Sequence, residues 1–506
     1  MKIFRIAAIG PLLTLVLCAG ILLGGPSWAE TNLRMGLASL PNENGNPFTS
    51  SARTAAYTYR AMFDTLTQLS SNLVIEPGLA VSWETSGDTT WIVHLREGVT
   101  FSNGEPFDAE AALFSFRYLQ SDEGAGESLS RDVKDIVAME VVDPLTLRFE
   151  TAMPIPEFPR LLSVIWMVPP AHWQALGRGA FSLDPLGTGP FRVREWNPTQ
   201  LLFDANTESW RPPKIDALEI LVLPEMSSRI AALVTDRIDV ASEIGPDDVF
   251  TIEAAGLNTY QRPATASQMI VFNTLIESPL QDARVRQALN YAVNKQAIAL
   301  AIMGGRAAVV DQMTAGINPE RHPELEPYPY DPDKARLLLA EAGYPDGFSF
   351  VFEFSFGTAG NHMPSMYQQI AADLSQVGVH MEVQPRPWSQ YVQGILLGKW
   401  NGQAFGFEYE LLPTGSSMRP FRLHSCAWPY PWYCDETIQP AIELAKHSTN
   451  EDERKAAVHT VLAHYHEQAA ALMLVENMGL DGVNPRVRGY HQEGGIIPYH
   501  NISLAE

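Results

Sequence analysis

The chain has 506 residues, too many for one ordinary core, so two or three domains are expected. Its composition is globular, with 46% hydrophobic, 10% aromatic and 18% charged residues. The 35 Lys and Arg against 58 Asp and Glu give a formal net charge of −23, which argues against nucleic acid or any other polyanion as a partner.

The first 30 residues, "MKIFRIAAIGPLLTLVLCAGILLGGPSWAE", carry Lys2 and Arg5, then an apolar run, then Ser27-Trp28-Ala29. A basic start, an apolar middle and a small-x-small exit are the marks of a cleaved secretory signal peptide, here 1–29. A retained membrane anchor is the alternative reading, because the apolar run is nearly long enough to span a bilayer. Cys18 follows Leu17, where a lipidation site wants a small residue.

After the leader, "TNLRMGLASL" reads as a buried strand, and "TAAYTYRAMFDTLTQL" has the apolar spacing of one helix. In "TTWIVHLREGVTFSNGEPF", Trp91, Val93 and Leu95 alternate with Ile92, His94 and Arg96, a strand followed by glycine turns. Asp108 is placed to cap the helix opening at "DAEAALFSFRYL". The stretch "LGTGPFRVREW" (186–196) looks at first like a phosphate-binding loop. Such loops lead into a helix, whose N-terminus supplies donors. Here Gly189 leads through Pro190 into alternating residues and then "LLFDAN", so the loop is a turn between strands.

From residue 275 helices and strands alternate, the pattern of an α/β body. "DARVRQALNYAVNKQAIALAIMGG" reads as one helix ending at Gly304-Gly305. "YDPDKARLLLAEAGY" has Asp331 as cap, Pro332 in the first turn and Gly343 past the end. A strand ("FSFVFEF"), a helix ("MYQQIAADLSQVGV") and a strand ("HMEVQPR") follow, then a helix over 451–471 and a strand near 472–476.

The cysteines that survive leader removal, Cys426 and Cys434, sit in "HSCAWPYPWYC". Export into an oxidising compartment favours a short-loop disulfide, and a zinc site with His424 is the alternative. Catalytic signatures fail. In "HYHEQ", His464 and His466 lie two apart rather than the four a helical zinc protease needs. No Gly-x-Ser-x-Gly elbow occurs. We therefore expect no enzyme, no catalytic residue, no metal site and no cofactor.

Several segments in order carry a family resemblance: "LAVSWETSGDTTWIVHLREGVTFSNGEPFDAEAALFSF" (79–116), "GTGPF" (187–191), "ALVTDRIDVA" (232–241), "FNT" with "DARVRQALNYAVNKQAI" (272–298), and "DPDKARLLLAEAGYPDG" (331–347). Through them the chain resembles the extracellular solute-binding family 5, the oligopeptide-, dipeptide- and nickel-binding components of ABC importers. The resemblance implies a periplasmic-binding-protein-like α/β fold of the cluster C type, with two hinged lobes. The first lobe's main sheet would take 30–70, 187–272 and 485–506, its extra subdomain 71–186, and the second lobe 273–484. It also implies a periplasmic monomer that captures a peptide or other small-molecule ligand between the lobes and delivers it to an inner-membrane ABC permease. A non-peptide solute (a metal chelate, an opine, an oligosaccharide), a sensor or chaperone of the same fold, and a secreted hydrolase are the competing readings.

Peptide-binding members carry a segment like Gly-Trp-x-x-Asp-Tyr, whose Trp packs on the ligand and whose Asp pairs its amine. The matching "GFEYELLP" (406–413) places Phe407 at the Trp position, Glu410 at the Asp position and Leu411 at the Tyr position. The resemblance also sets the loop Ser51-Ala52-Arg53-Thr54 against the cleft, where Arg53 is suited to a carboxylate or phosphate. The expected ligand-binding set is Arg53, Phe407, Glu410, Glu408, Trp388, Trp400 and Met269, with the aromatic loop Trp428-Tyr430-Trp432 held by a Cys426–Cys434 bridge. Glu408 and Glu410 as plain strand-end acids, and Arg53 as an exposed arginine paired with a neighbouring acid, are the alternatives. N-terminal sequencing of the exported protein is expected to start at Glu30; a start at Met1 or a lipidated Cys18 overturns the leader assignment.

Overall fold

The computed structural model describes residues 31–50, 53–355, 362–477 and 479–505. The expected leader 1–29 with Cys18, and also Ser51 and Ala52, lie outside the described residues. Among the described residues, no helix is long and apolar enough to cross a membrane.

Two mixed sheets and one antiparallel sheet carry the architecture. The first sheet has seven strands in the order Asn258–Gln261, Leu480–Val483, Val240–Ile244, Asn32–Leu37, Ala217–Val222, Gln200–Ala205 and Phe191–Asn197. Asn32–Leu37 lies parallel to both of its neighbours, and with Leu33, Met35 and Leu37 fully buried it is the centre of the sheet. The second sheet has five strands in the order Val379–Arg386, Phe348–Ser355, Ala404–Glu410, Ala266–Phe272 and Ala471–Glu476. Every residue of Ala266–Phe272 is buried, as a central strand covered on both faces requires. Segment 71–186 carries the third sheet, Ala80–Thr85, Thr90–Leu95, Thr146–Thr151 and Ile136–Asp143, all antiparallel. Its buried face (Trp91, Val93, Leu95, Leu147, Phe149) belongs to the same apolar cluster as the first sheet.

Two boundaries move from the sequence reading. Ala266–Phe272 was expected in the first sheet and lies in the second; Leu480–Val483 was expected with the second body and lies in the first sheet. The chain therefore crosses between sheets near 262–265 and 477–479. Strand pairing decides this: Ala266–Phe272 finds partners on both edges only in the second sheet.

Two helices are also shorter than their apolar spacing suggests. The first runs Arg53–Met62 and stops, and Thr67–Leu69 is a strand. The carbonyl of Met62 accepts from Gly189 N at 2.8 Å, so tertiary contact ends the helix. The glycines of the 187–191 turn are explained by the same contact: a Cβ on Gly187 would lie 2.1 Å from the Met62 carbonyl oxygen. The segment read as one helix from residue 282 is two, Ala283–Ala292 and Lys295–Ala301, because the Asn294 side chain caps the second by accepting from Ala297 N. Asp108 and Asp331 cap their helices as expected.

Just past the first helix, Asp64 is fully buried. Its carboxylate pairs with Arg211 and with Arg60 (3.3 Å) and accepts from Thr188 Oγ1 at 2.8 Å and Trp210 Nε1 at 2.9 Å. Burial pushes this carboxyl up, yet Arg211, Arg60, Trp210 and Thr188 together hold it below its usual range. Removing the acid strands two buried guanidinium groups. Asp64→Ala is expected to destabilise the fold by about 3–5 kcal/mol, read as a lower urea midpoint; an unchanged midpoint contradicts this role.

Candidate functional site

The first helix is the positioning element of the site. Tyr57 and Tyr59 are fully buried, which fixes the rotation of the helix and presents Arg53 at its start away from the core. Tyr57 also ties the helix to the crossing between sheets. Its hydroxyl accepts from Arg262 Nη1 and from Gln492 Nε2, both at 3.0 Å. Gln492 reaches Asp481 Oδ2 at 3.2 Å, and Tyr490 donates to the same oxygen at 2.9 Å. Arg262 N donates to the Gly479 carbonyl at 2.9 Å, so the two crossing segments are bonded to each other. Gly479 has no room for a side chain, since a Cβ would lie 2.1 Å from Arg262 Nε.

Between the two bodies lies a cavity of about 590 Å³. Arg53 and Ala56 of the first helix line it on one side, with Arg131 and Asp132 from segment 71–186. Glu410, Thr414, Arg419 and Arg422, from the end of Ala404–Glu410 and the loop after it, line the other. Across it Arg53 Nη2 meets Glu410 Oε2 at 3.2 Å, with the two side chains 30% and 23% exposed. Glu410 is held from its own side too, because its Oε1 accepts from Leu412 N at 3.0 Å.

The structure brings Arg53 and Glu410 together but separates the aromatic candidates from them. Side chains alternate along Ala404–Glu410, so Phe405, Phe407 and Tyr409 share one face and Glu408 and Glu410 the other. Phe407 packs on Phe405, Tyr409 and Trp432. Met269, opposite Phe407 in the register, is fully buried in the same cluster. Trp400 stacks on Phe405 with ring centroids 3.8 Å apart, and Trp388 lies exposed on its helix against Tyr391. None of these four residues lines the cavity that Arg53 and Glu410 share. The aromatic loop is likewise structural: Trp432 is fully buried, Trp428 Nε1 donates to the Ile395 carbonyl, and Cys426 and Cys434 are joined in a disulfide. Each sulfur is thus bonded to the other.

Sequence reasoning missed Arg131, Asp132, Arg419 and Arg422. A signal for the last two was present, since "MRPFR" sets two arginines three apart in a strongly acidic chain.

Glu408 lies beside the pair but is not ionised like an exposed acid. Burial, then the charge of Glu410, push its carboxyl up to about 7, against the opposing pull of Arg53 and Asn477. A carboxyl raised on folding makes the folded state bind more protons than the unfolded state between its two titration points. Stability therefore falls as pH rises from about 4.5 to about 7. Glu408→Gln is expected to stabilise the protein at pH 8 by an amount of order 1–3 kcal/mol, read as a raised melting temperature, and hardly at pH 4. Equal gains at both pH values rule out this titration.

Comparisons with known proteins agree on one family. The profile of bacterial extracellular solute-binding proteins, family 5, matches residues 74–426. The dipeptide-binding protein of Escherichia coli is 26% identical over 467 residues, covering 85% of this chain and 86% of that one. The heme-binding protein A of Haemophilus influenzae is 29% identical over 475 residues, covering 85% and 84%. In fold, the solved structure of HbpA2 from Haemophilus parasuis superposes with a TM-score of 0.82 at 21% identity, covering 94% of this chain and all of that one. A cavity between two sheet-bearing bodies, closed by an ion pair across it, is the architecture that such a receptor needs, and the chain belongs to the bacterial extracellular solute-binding proteins of family 5.

Proposed function

We propose that this protein is an exported receptor that captures a peptide-sized polar organic solute in the Arg53–Glu410 cavity and delivers it to an inner-membrane ABC permease. The observation that carries the reading is the ion pair itself: one partner stands on the first body, the other on the second, and both face the cavity. A solute that bonds both bodies stabilises the closed arrangement, because binding energy is then gained only when the two faces meet. The volume suits a small organic ligand, for which pockets of about 300–1,000 Å³ are usual. The relatives named for dipeptide and for heme support a small organic cargo. The leader sequence supports a periplasmic location, and the absence of catalytic motifs supports a binding protein over a hydrolase.

Arg53 can hold an anionic group in two parallel hydrogen bonds, and Glu410 can take a cationic or hydroxyl group. The extra methylene of Glu410 over an aspartate moves its charge outward, which relaxes a strict clamp on a peptide amine. Mass spectrometry of solute released from the purified protein identifies the cargo. In thermal-shift titration that cargo is expected to stabilise the protein by RT ln(1 + [L]/Kd), about 2.7 kcal/mol at a hundredfold excess over Kd. Arg53→Ala and Glu410→Gln are each expected to weaken its binding by about 2–5 kcal/mol. If both variants bind it as tightly as the parent, the site lies elsewhere; if the protein consumes it, the receptor reading fails.

A further inference from the structure

The cavity is cationic in a protein that is strongly anionic. Four guanidinium groups line it, those of Arg53, Arg131, Arg419 and Arg422, against the two carboxylates of Asp132 and Glu410. With 58 acids for 35 bases, most arginines elsewhere in this fold, though not Arg96, Arg229 or Arg286, find carboxylates, as Arg34, Arg60, Arg178 and Arg386 do. Among the described residues, Arg131, Arg419 and Arg422 do not. Arg131 gives Nε to the main-chain oxygen of Ser128 (3.0 Å), and Arg419 gives Nη1 to that of Glu410 (2.7 Å). The Arg422 side chain makes no hydrogen bond among the described residues. Asp132 stands among these three without forming an ion pair to any of them; burial raises its carboxyl while Arg422, Arg131 and Arg419 oppose the rise. Burial lowers the Arg419 guanidinium, Glu410 opposes that and Arg422 adds to it; with four guanidinium groups to two carboxylates, the wall holds positive charge that its own acids leave unmatched.

We propose that the cavity selects a solute carrying at least two carboxylate groups, one held by Arg131 and Arg422 and the other by Arg53 and Arg419. This rests on the cavity being the solute site. Two carboxylates match the two excess positive charges of the lining, and each can take two parallel hydrogen bonds from a guanidinium fork. A neutral dipeptide brings one cation and one anion, which leaves the excess in place. A basic solute adds repulsion, so the same wall rejects what it does not bind. The net charge of −23 repels anions at long range, so this preference must arise from contact inside the cavity.

The test is calorimetric titration of the whole mature protein with two matched series. One series is the peptides Glu-Ala-Glu, Gln-Ala-Gln and Lys-Ala-Lys; the other is propane-1,2,3-tricarboxylate and its triamide. In at least one series the acid is expected to bind about tenfold or more tightly than its amide, with the gap narrowing as salt rises. In the Arg131→Gln/Arg422→Gln double variant the acid-to-amide ratio is expected to fall to about threefold or less. Both arginines are exposed, and the melting temperature checks the variant's folding; should it misfold, the parent ratio decides. Amide or lysine members that bind as tightly as the acids, or acids that do not bind at all, overturn the proposal. A neutral or basic solute recovered from the purified protein also overturns it while leaving the receptor reading intact.

Discussion

The relation between the two bodies depends on Arg262. It sits in the first of two crossing segments, almost fully buried, donating to Tyr57 and lying 3.8 Å from the Asp481 carboxylate. A buried guanidinium without those partners is strongly unfavourable, so the contacts are obligatory once the core forms. Through Tyr57 the crossing fixes the helix that carries Arg53, and through Asp481 and Gln492 it fixes the chain just before Gly494 and Gly495, which also line the cavity. The cavity therefore takes its position from the crossing and not from either sheet alone.

Asp64 plays the matching part at the other end of the same helix. It gathers Arg60, Arg211, Thr188 and Trp210 and so joins the helix end to the 187–191 turn and to the 206–211 loop. Both anchors are buried charges satisfied by several partners. Such groups specify one arrangement because the alternatives leave a charge unpaired in a low-dielectric interior. A helix held at both ends presents Arg53 to the cavity with little freedom, which suits a group that must meet a solute in fixed geometry.

Aromatic residues are abundant near the second sheet, yet they serve packing. Phe405, Phe407, Tyr409 and Trp432 pack mostly edge to face, Trp400 stacks flat on Phe405, and the disulfide closes the loop that contributes Trp432. This leaves the cavity lined chiefly by charged and small polar side chains with few apolar ones, which shifts recognition toward charge matching and hydrogen bonding.

Much of this was legible in the residues. Alternation marked the strand of Trp91, Val93 and Leu95, side-chain oxygens marked the caps at Asp108 and Asp331, and ordered motifs marked the family. Local chemistry is enough for these, because each depends on neighbours within a few residues. Arg53 and Glu410 were also named from sequence, through family placement, although nothing local sets residues 357 apart in number at 3.2 Å. The early end of the first helix, the sheet that takes Ala266–Phe272, the face on which Phe407 lies, and the arrival of Arg131, Arg419 and Arg422 at one cavity came from tertiary structure alone. Each is decided by what packs against a residue from elsewhere in the chain: the Gly189 amide on the Met62 carbonyl, strand partners on both edges, an aromatic cluster competing with the cavity for Phe407. Sequence spacing carries periodicity along one element; it does not carry the choice of partner across the fold.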